Sequence, residues 1–397
     1  MRIVMVHNRY RSAAPSGENR VVDQESQALA ALGHEVIRFE RNSDEIEHWS
    51  TAKKACLSGR IVWSREAHRD LRTTLRERQP DVVHVHNTFP LLSPAVLYAC
   101  RDAATPVVAT VHNKRLVCAS GDFFRDGTTC HDCAHGLPVQ AVLHGCYRGS
   151  RLATVPLVLA ASAHRQAWKS LVSAYLFVSA SLRDQLEGLG LARDRVFVRH
   201  PLVPRRSVPQ AAREPVVFYA GRLDEAKGVR LLMAGWDRYR STSGEPGLRL
   251  TIAGGGPLAH EVAAWASTRP SVQMIGQVDG DRCADLMSRA RAVLLPSIIE
   301  ETFGLVAVEA MAAGVPPIAA ARGSFVEIIA PGVDGVLFRP ADSAALALAL
   351  ADAEAHPERY EEYGRQARKT YEQRFDPEHN LGQLMQIYRY AIAHPVL

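Results

Sequence analysis

Short β-rich runs alternate with helical patterns along almost all of this 397-residue chain. The first half offers Arg2–Val6, Glu35–Phe39, Val82–Val85, Val107–Val111, Ala174–Val178 and Val196–Arg199 as strands. The second offers Val216–Ala220, Arg249–Ala253, Val272–Ile275, Ala292–Leu295 and Pro317–Ala320. Strands separated by helices must be joined by crossovers, which makes parallel sheets with helices on both faces. The alternation is interrupted by "PLVPRRSVPQAAREP" at 201–215, proline-rich, charged and aperiodic, and a new strand opens directly after it. That is the signature of a linker. The expected fold class is therefore α/β, with two doubly wound Rossmann-like domains at 1–203 and 210–376. The final stretch, 377–397, carries helical periodicity through Leu381, Leu384, Met385, Ile387, Tyr388 and Ile392, with no strand after it. Its apolar side must dock, and the first domain is the expected place.

With 47% apolar residues, each domain can bury a core. A formal charge of +5 is mildly basic. It suits anionic small molecules or an anionic membrane face and falls short of a nucleic-acid-binding signature, so no nucleic-acid partner is expected. "MRIVMVHNRY" reads as a first strand rather than a leader. The longest apolar stretch, Leu152 to Ala163, is too short to span a bilayer. A cytoplasmic location is expected, with peripheral contact at the inner membrane face left open.

Two segments carry the chemistry. In "EETFGLVAVEAMAAGVPPIAA" at 300–320, Glu301 lies in the turn after a strand and Glu309 lies inside the following helix. Ligands of open α/β sheets bind at the carboxyl ends of strands. The N–H groups of Gly304, Leu305 and Val306 form an anion seat at a helix start, and two carboxylates suit vicinal hydroxyls. In "VVFYAGRLDEAKGV" at 216–229, Arg222 and Lys227 follow a strand end at the same edge. Both can hold phosphate. The plainer alternatives are a capping carboxylate with one surface acid, and two solvated cations. Cations at a helix start oppose the dipole, which disfavours the second.

Together these residues resemble the retaining GT-B glycosyltransferases of family 4. The resemblance rests on "GRLDEAKGV", on the E-x7-E pair Glu301 and Glu309 with its inner "FG", on "MAAGVPPIAA", and on "GGGPL" at 254–258. It extends more loosely to "DVVHVHNTFPLLSP" and "ATVHNKRLVCASG" in the first half. It implies a GT-B fold whose domains face across a cleft, the first binding acceptor and the second a UDP-, GDP- or TDP-sugar. Arg222 and Lys227 would hold the diphosphate. Glu301 would contact the donor sugar, Phe303, Gly304, Leu305 and Val306 would line the sugar-phosphate turn, and Glu309 would bind the ribose. Val278 in "IGQVDGD" would meet the base, and His112 in "TVHN" would lie near the transferred sugar and the β-phosphate. His112, Glu301, Arg222 and Lys227 form the catalytic set this implies. Gly17 in "PSGENRVV" would meet the diphosphate, although many members carry paired glycines where this chain has Ser16-Gly17. "RHPLV" at 199–203 stands where relatives often have Asn after a Pro, so His200 receives no role.

Other constellations are weighed beside this. Asp279 and Asp281 form a D-x-D that could hold a catalytic metal, but a helix N-cap explains it better, and no catalytic metal is expected. Cys118, Cys130, Cys133 and Cys146, spaced C-x11-C-x2-C-x12-C within the insertion 115–150, suit a structural zinc ion; reduced thiols or disulfides are the alternative. His84 and His86 alternate on one strand and so share a face; with Asn87 they are placed on the acceptor side, where a pocket wall is as good a reading as chemistry. Arg9, Arg11, Arg20, Arg148 and Arg151 enrich the first domain in positive charge. The acceptor class is a glycan, a lipid-linked sugar or a small natural product. The alternatives are a phosphorylase or other reaction on the same fold, separated by dependence on inorganic phosphate, and a silent sugar-nucleotide-binding protein, separated by a turnover assay.

Overall fold

The computed structural model describes residues 1–12, 16–208, 212–242 and 247–396. It divides into two compact units. The first comprises Met1–Phe123, Cys130–Leu202 and Glu378–Leu397, and the second Phe124–Thr129 and Val203–Pro377. Residues 209–211 of the proline-rich segment lie outside the described residues.

The first unit holds a six-stranded parallel sheet. Its strands are β1 (Arg2–Arg9), β2 (Glu35–Asn42), β3 (Val82–Asn87), β4 (Val107–Val111), β7 (Ala174–Phe177) and β8 (Val196–Val198), in the order β2-β1-β3-β4-β7-β8. Two-residue strands β5 (Phe124–Arg125) and β6 (Thr128–Thr129) form a separate antiparallel hairpin. The second unit's parallel sheet contains β9 (Glu214–Ala220), β10 (Arg249–Ala253), β11 (Val272–Gly276), β12 (Ala290–Leu295), β13 (Pro317–Ala320) and β14 (Val336–Phe338). Its order is β11-β10-β9-β12-β13-β14. Strand order reverses between β1 and β3 in one sheet and between β9 and β12 in the other. Such reversals open a crevice at the strands' carboxyl ends.

The hairpin and β14 are absent from the sequence-based strand set. Both are two or three residues long, too short for periodicity to register. β1 and β2 also run past their apolar stretches, because the parallel ladder continues to Arg9 opposite Asn42. The polar end is held by charge pairing: Arg9 meets Asp23 at 2.8 Å and Glu40 at 3.3 Å, while Arg11 meets Glu47 at 2.9 Å. Two of the arginines considered for an anionic acceptor are thus already paired.

The C-terminal helix Pro377–Ala393 packs in the first unit. Leu384, Met385, Ile387, Tyr388 and Ala391 join Ile3, Met5, Val22, Leu29, Val82, Val108 and Leu176 in one buried cluster. In the second unit Trp236, Tyr239, Leu250, Ile252, Ala292, Leu294, Ile318, Leu346 and Leu350 form the core. Dispersion and burial over such clusters fix the strand ends that carry the polar residues.

Candidate active site

The loops after β9 and β12 meet at the reversal of strand order in the second unit. Backbone N–H groups of Ile298 and Ile299 both donate to the Ala226 carbonyl, at 2.9 and 3.2 Å. Gly228 has φ 71° and starts the helix Val229–Arg240; a side chain there would collide with the Pro296 carbonyl. Only glycine allows this backbone geometry and this approach together. The "GGGPL" turn after β10 closes on the same edge. Leu223 N–H donates to Gly255 O and Leu258 N–H to Leu223 O, each at 2.9 Å.

This packing brings the predicted charges together. Lys227 Nζ lies 2.6 Å from Glu301 Oε1, and the Ser297 hydroxyl donates to the same oxygen at 2.6 Å. Glu301 is buried. Its backbone is held by Ser324 N–H, which donates to Glu301 O at 3.0 Å. Asp224 accepts from Lys227 N–H at 2.9 Å and pairs with the Arg222 guanidinium. Arg222 keeps 57% of its side chain exposed, enough to reach a ligand.

Gly304 takes the left-handed conformation at φ 77° and ψ 54° and begins the helix Leu305–Ala312. A side chain at Gly304 would strike the Phe325 ring, so the turn is built for glycine. Phe303 is buried, with its ring centroid 6.1 Å from that of Phe375, while Leu305, Val306 and Glu309 are half-buried on the helix. Val278 is half-buried between β11 and the helix Gly280–Arg289. Asp279 caps that helix, its side chain accepting from Arg282 N–H at 2.8 Å. That occupies the first carboxylate of the D-x-D, and the side chain of Asp281 is fully exposed.

In the first unit, Gly17 opens the helix Gly17–Ala31 and is exposed. His112 follows the end of β4. His84, His86 and Asn87, read as acceptor-side residues, lie on β3. All three are buried. His84 is engaged at both ring nitrogens, Nδ1 with Tyr388 OH and Nε2 with Thr110 Oγ1, each at 2.7 Å. Asn87 Nδ2 donates to Asn8 O at 2.8 Å, and its Oδ1 accepts from Phe89 N–H at 3.0 Å. The bonds of His84 and Asn87 tie neighbouring strands and the C-terminal helix together. His84 and His86 do share a face, with ring centroids 4.0 Å apart.

His86 Nδ1 lies 2.9 Å from His112 Nε2, and the two rings stack. Burial, with Arg199 nearby, lowers the pKa of both His84 and His86, and burial pushes His112 down to about 3. All three are therefore neutral at neutral pH. Beneath them Glu25 is paired with the Arg199 guanidinium, both buried. Sequence reasoning missed Glu25, Arg199 and Tyr388. The signal was available for Glu25: it occupies the stripe of Val21, Val22 and Leu29 on its helix, where an acid is out of place.

Among the described residues, Glu25, His84 and His86 are the one group of three or more metal-ligating side chains whose ligand atoms converge. They suit a cation poorly. Both nitrogens of His84 are taken, and the single carboxylate already neutralises a guanidinium. Cys118, Cys130, Cys133 and Cys146 form no disulfide, and among the described residues no three of them converge as a coordination shell requires. Burial first, then the neighbouring Cys118, Cys146 and Cys130 thiols, help push Cys133 up to about 11.

Two parallel Rossmann-like sheets with charged loops at a reversal of strand order define the GT-B class of glycosyltransferases. The model for glycosyl transferases group 1 matches residues 204–370, and that for glycosyltransferase family 4 matches residues 15–205. The chain belongs to this glycosyltransferase family. It is 29% identical to a glycogen synthase of Mycobacterium tuberculosis, over 95% of this chain and 91% of that one. It is 27% identical to a phosphatidyl-myo-inositol mannosyltransferase of Mycobacterium leprae, over 94% and 93%. Among solved structures, Anabaena HepE in complex with UDP superimposes with a TM-score of 0.68 at 16% identity, covering 97% of this chain and 99% of that one. Sucrose-phosphate synthase of Thermosynechococcus elongatus gives 0.69 at 20% identity, covering 99% of each.

Proposed function

We propose that the chain transfers a sugar, with retention of configuration, from a UDP-, GDP- or TDP-sugar to a hydroxyl of a glycan, lipid-linked or small natural-product acceptor. The observation that carries this reading is the Lys227–Glu301 pair beside the Gly304 helix start, at the reversal of strand order. Arg222, Lys227 and the N–H groups of Gly304, Leu305 and Val306 receive the diphosphate, where negative charge grows as the bond to C1 breaks. Glu301, aimed by Ser297, accepts from sugar hydroxyls, and Glu309 accepts from the ribose. Val278 borders the base, Phe303 backs the turn, Gly17 approaches the diphosphate and His112 meets the transferred sugar. The acceptor oxygen bonds to C1 on the face the nucleotide leaves, and its proton passes to the departing phosphate oxygen. Neither glutamate is needed as a nucleophile, in contrast to a glycosidase pair. UDP is supported by HepE, solved with UDP and with UDP-glucose. The relatives named glycogen synthase and phosphatidyl-myo-inositol mannosyltransferase support glycan and lipid-linked acceptors alike.

Calorimetric titration with UDP, GDP, TDP and ADP tests the donor reading. One diphosphate is expected to bind selectively, and Glu309→Ala to weaken it about tenfold or more, as loss of a charged hydrogen bond does. Unchanged affinity in the variant removes the ribose role. Binding of none of the four removes the donor site.

A structural zinc ion on Cys118, Cys130, Cys133 and Cys146 is a separate proposal. It is supported by the spacing and by the electrostatic proximity of three thiols to Cys133, and it requires the thiols to draw together. Metal analysis of the intact chain is expected to give about one zinc per chain; metal-free, folded protein ends the proposal.

A further inference from the structure

The buried polar chain in the first unit has an order of protons that its geometry dictates. Glu25 Oε1 is taken by Arg199, and Oε2 makes no hydrogen bond among the described residues. Oε2 lies 3.7 Å from Nε2 of His86, another buried atom without a hydrogen bond among them. Nε and Nη1 of Arg199 likewise make none, so neither guanidinium N–H supplies a proton to that nitrogen. Arg199 is permanently charged, and the buried carboxylate against it is its counter-ion. An N–H dipole is drawn towards that anion and a nitrogen lone pair is repelled, the more so in a low-dielectric interior. The single proton of neutral His86 therefore sits on Nε2, and its Nδ1 carries only a lone pair.

That lone pair faces Nε2 of His112 at 2.9 Å. The bond exists only if His112 carries its own proton on Nε2. His112 is neutral, so its Nδ1 is left with a lone pair, and nothing among the described residues hydrogen-bonds to it. His84 cannot take over from His86, because Tyr388 and Thr110 occupy both its nitrogens.

We infer that Glu25, acting through His86, is a positioning residue that holds His112 as the Nε2–H tautomer and presents Nδ1 to the substrate as a hydrogen-bond acceptor. An acceptor nitrogen takes a hydrogen bond from a sugar hydroxyl. It repels a diphosphate oxygen, which has only lone pairs to offer. His112 therefore grips the sugar and contributes nothing to the nucleotide. This rests on the proposal that His112 meets the donor.

The proton order is tested directly on the full chain labelled with 15N-histidine. Long-range proton–nitrogen spectra report which ring nitrogen is protonated, with signals assigned through His112→Asn and His86→Asn. Both rings are expected to be protonated on Nε2. The double variant Glu25→Met/Arg199→Met removes both charges together and so avoids an unpaired ion. In it the His112 signal is expected to shift towards the Nδ1–H form. A wild-type His112 protonated on Nδ1, or a signal unmoved in the double variant, overturns the inference. Calorimetry supplies the second arm. His112→Ala is expected to leave affinity for the selected nucleoside diphosphate unchanged and to weaken the corresponding nucleotide sugar about tenfold. Equal losses on both ligands overturn the acceptor assignment. Failure of all four diphosphates to bind sinks the glycosyl-transfer reading alone, since the nitrogen spectra still decide the proton order.

Discussion

Lys227→Met is expected to lower turnover by about two to three orders of magnitude, the usual loss when one preorganised partner of a developing negative charge is removed. Lys227 Nζ pairs with buried Glu301 at the start of the helix Leu305–Ala312. A second cation, Arg222, stands on the same loop. Positive charge there acts most strongly where water is scarce, and the pair is fixed before the donor arrives. The variant also removes the ammonium that pairs with Glu301, so sugar alignment is expected to suffer along with leaving-group stabilisation. The loss is expected in turnover at saturating donor more than in donor affinity. Initial rates over a donor series separate the two, and turnover within a few-fold of wild type takes Lys227 out of the leaving-group role. Lys227→Arg is expected to recover little, since a planar guanidinium does not replace a compact ammonium against one carboxylate oxygen.

Arg199→Met should destabilise the first unit by about 3–5 kcal/mol, because it strands the Glu25 carboxylate in the core. Both side chains are buried, and Glu25 reaches no other cation. The sign of the pH dependence follows from the same contact. Burial raises the Glu25 pKa and Arg199 alone opposes that. Without Arg199 the folded value rises further above the unfolded one, so the folded state favours the protonated acid. The penalty relative to wild type is therefore smallest at acid pH and grows as pH rises above the ordinary glutamate range. Denaturant unfolding at mildly acidic and mildly alkaline pH, each against wild type, measures this. A penalty that is constant or larger in acid contradicts the pairing. The double variant Glu25→Met/Arg199→Met should recover most of the loss, since an apolar pair of similar volume removes the stranded charge.

Residues two to nine show how far local pattern reaches. The alternation of apolar residues located β1, but its extension to Arg9 depends on a ladder to Asn42, which lies in another part of the chain. The pair Arg222 and Lys227 was legible because loop charges after a strand end up at the carboxyl edge of any parallel sheet. Glu301, in the turn after β12, was legible for the same reason. For His84, His86 and Asn87, strand position named a face and not its depth. His84 and Asn87 prove to be tied to Tyr388 and Asn8, 304 and 79 residues away along the chain.

From the sequence alone came two parallel α/β domains and the charged loops after β9 and β12, since each is written in periodicities and motifs within a few residues of one another. Only the tertiary structure decided that β9 lies beside β12, which brings Lys227 within 2.6 Å of Glu301. It likewise decided that a helix, three strands and the C-terminal helix bring Glu25, His84, His86, His112, Arg199 and Tyr388 into one buried network. Strand order and packing depth come from the summed burial of the whole domain, and no short window of residues contains that sum.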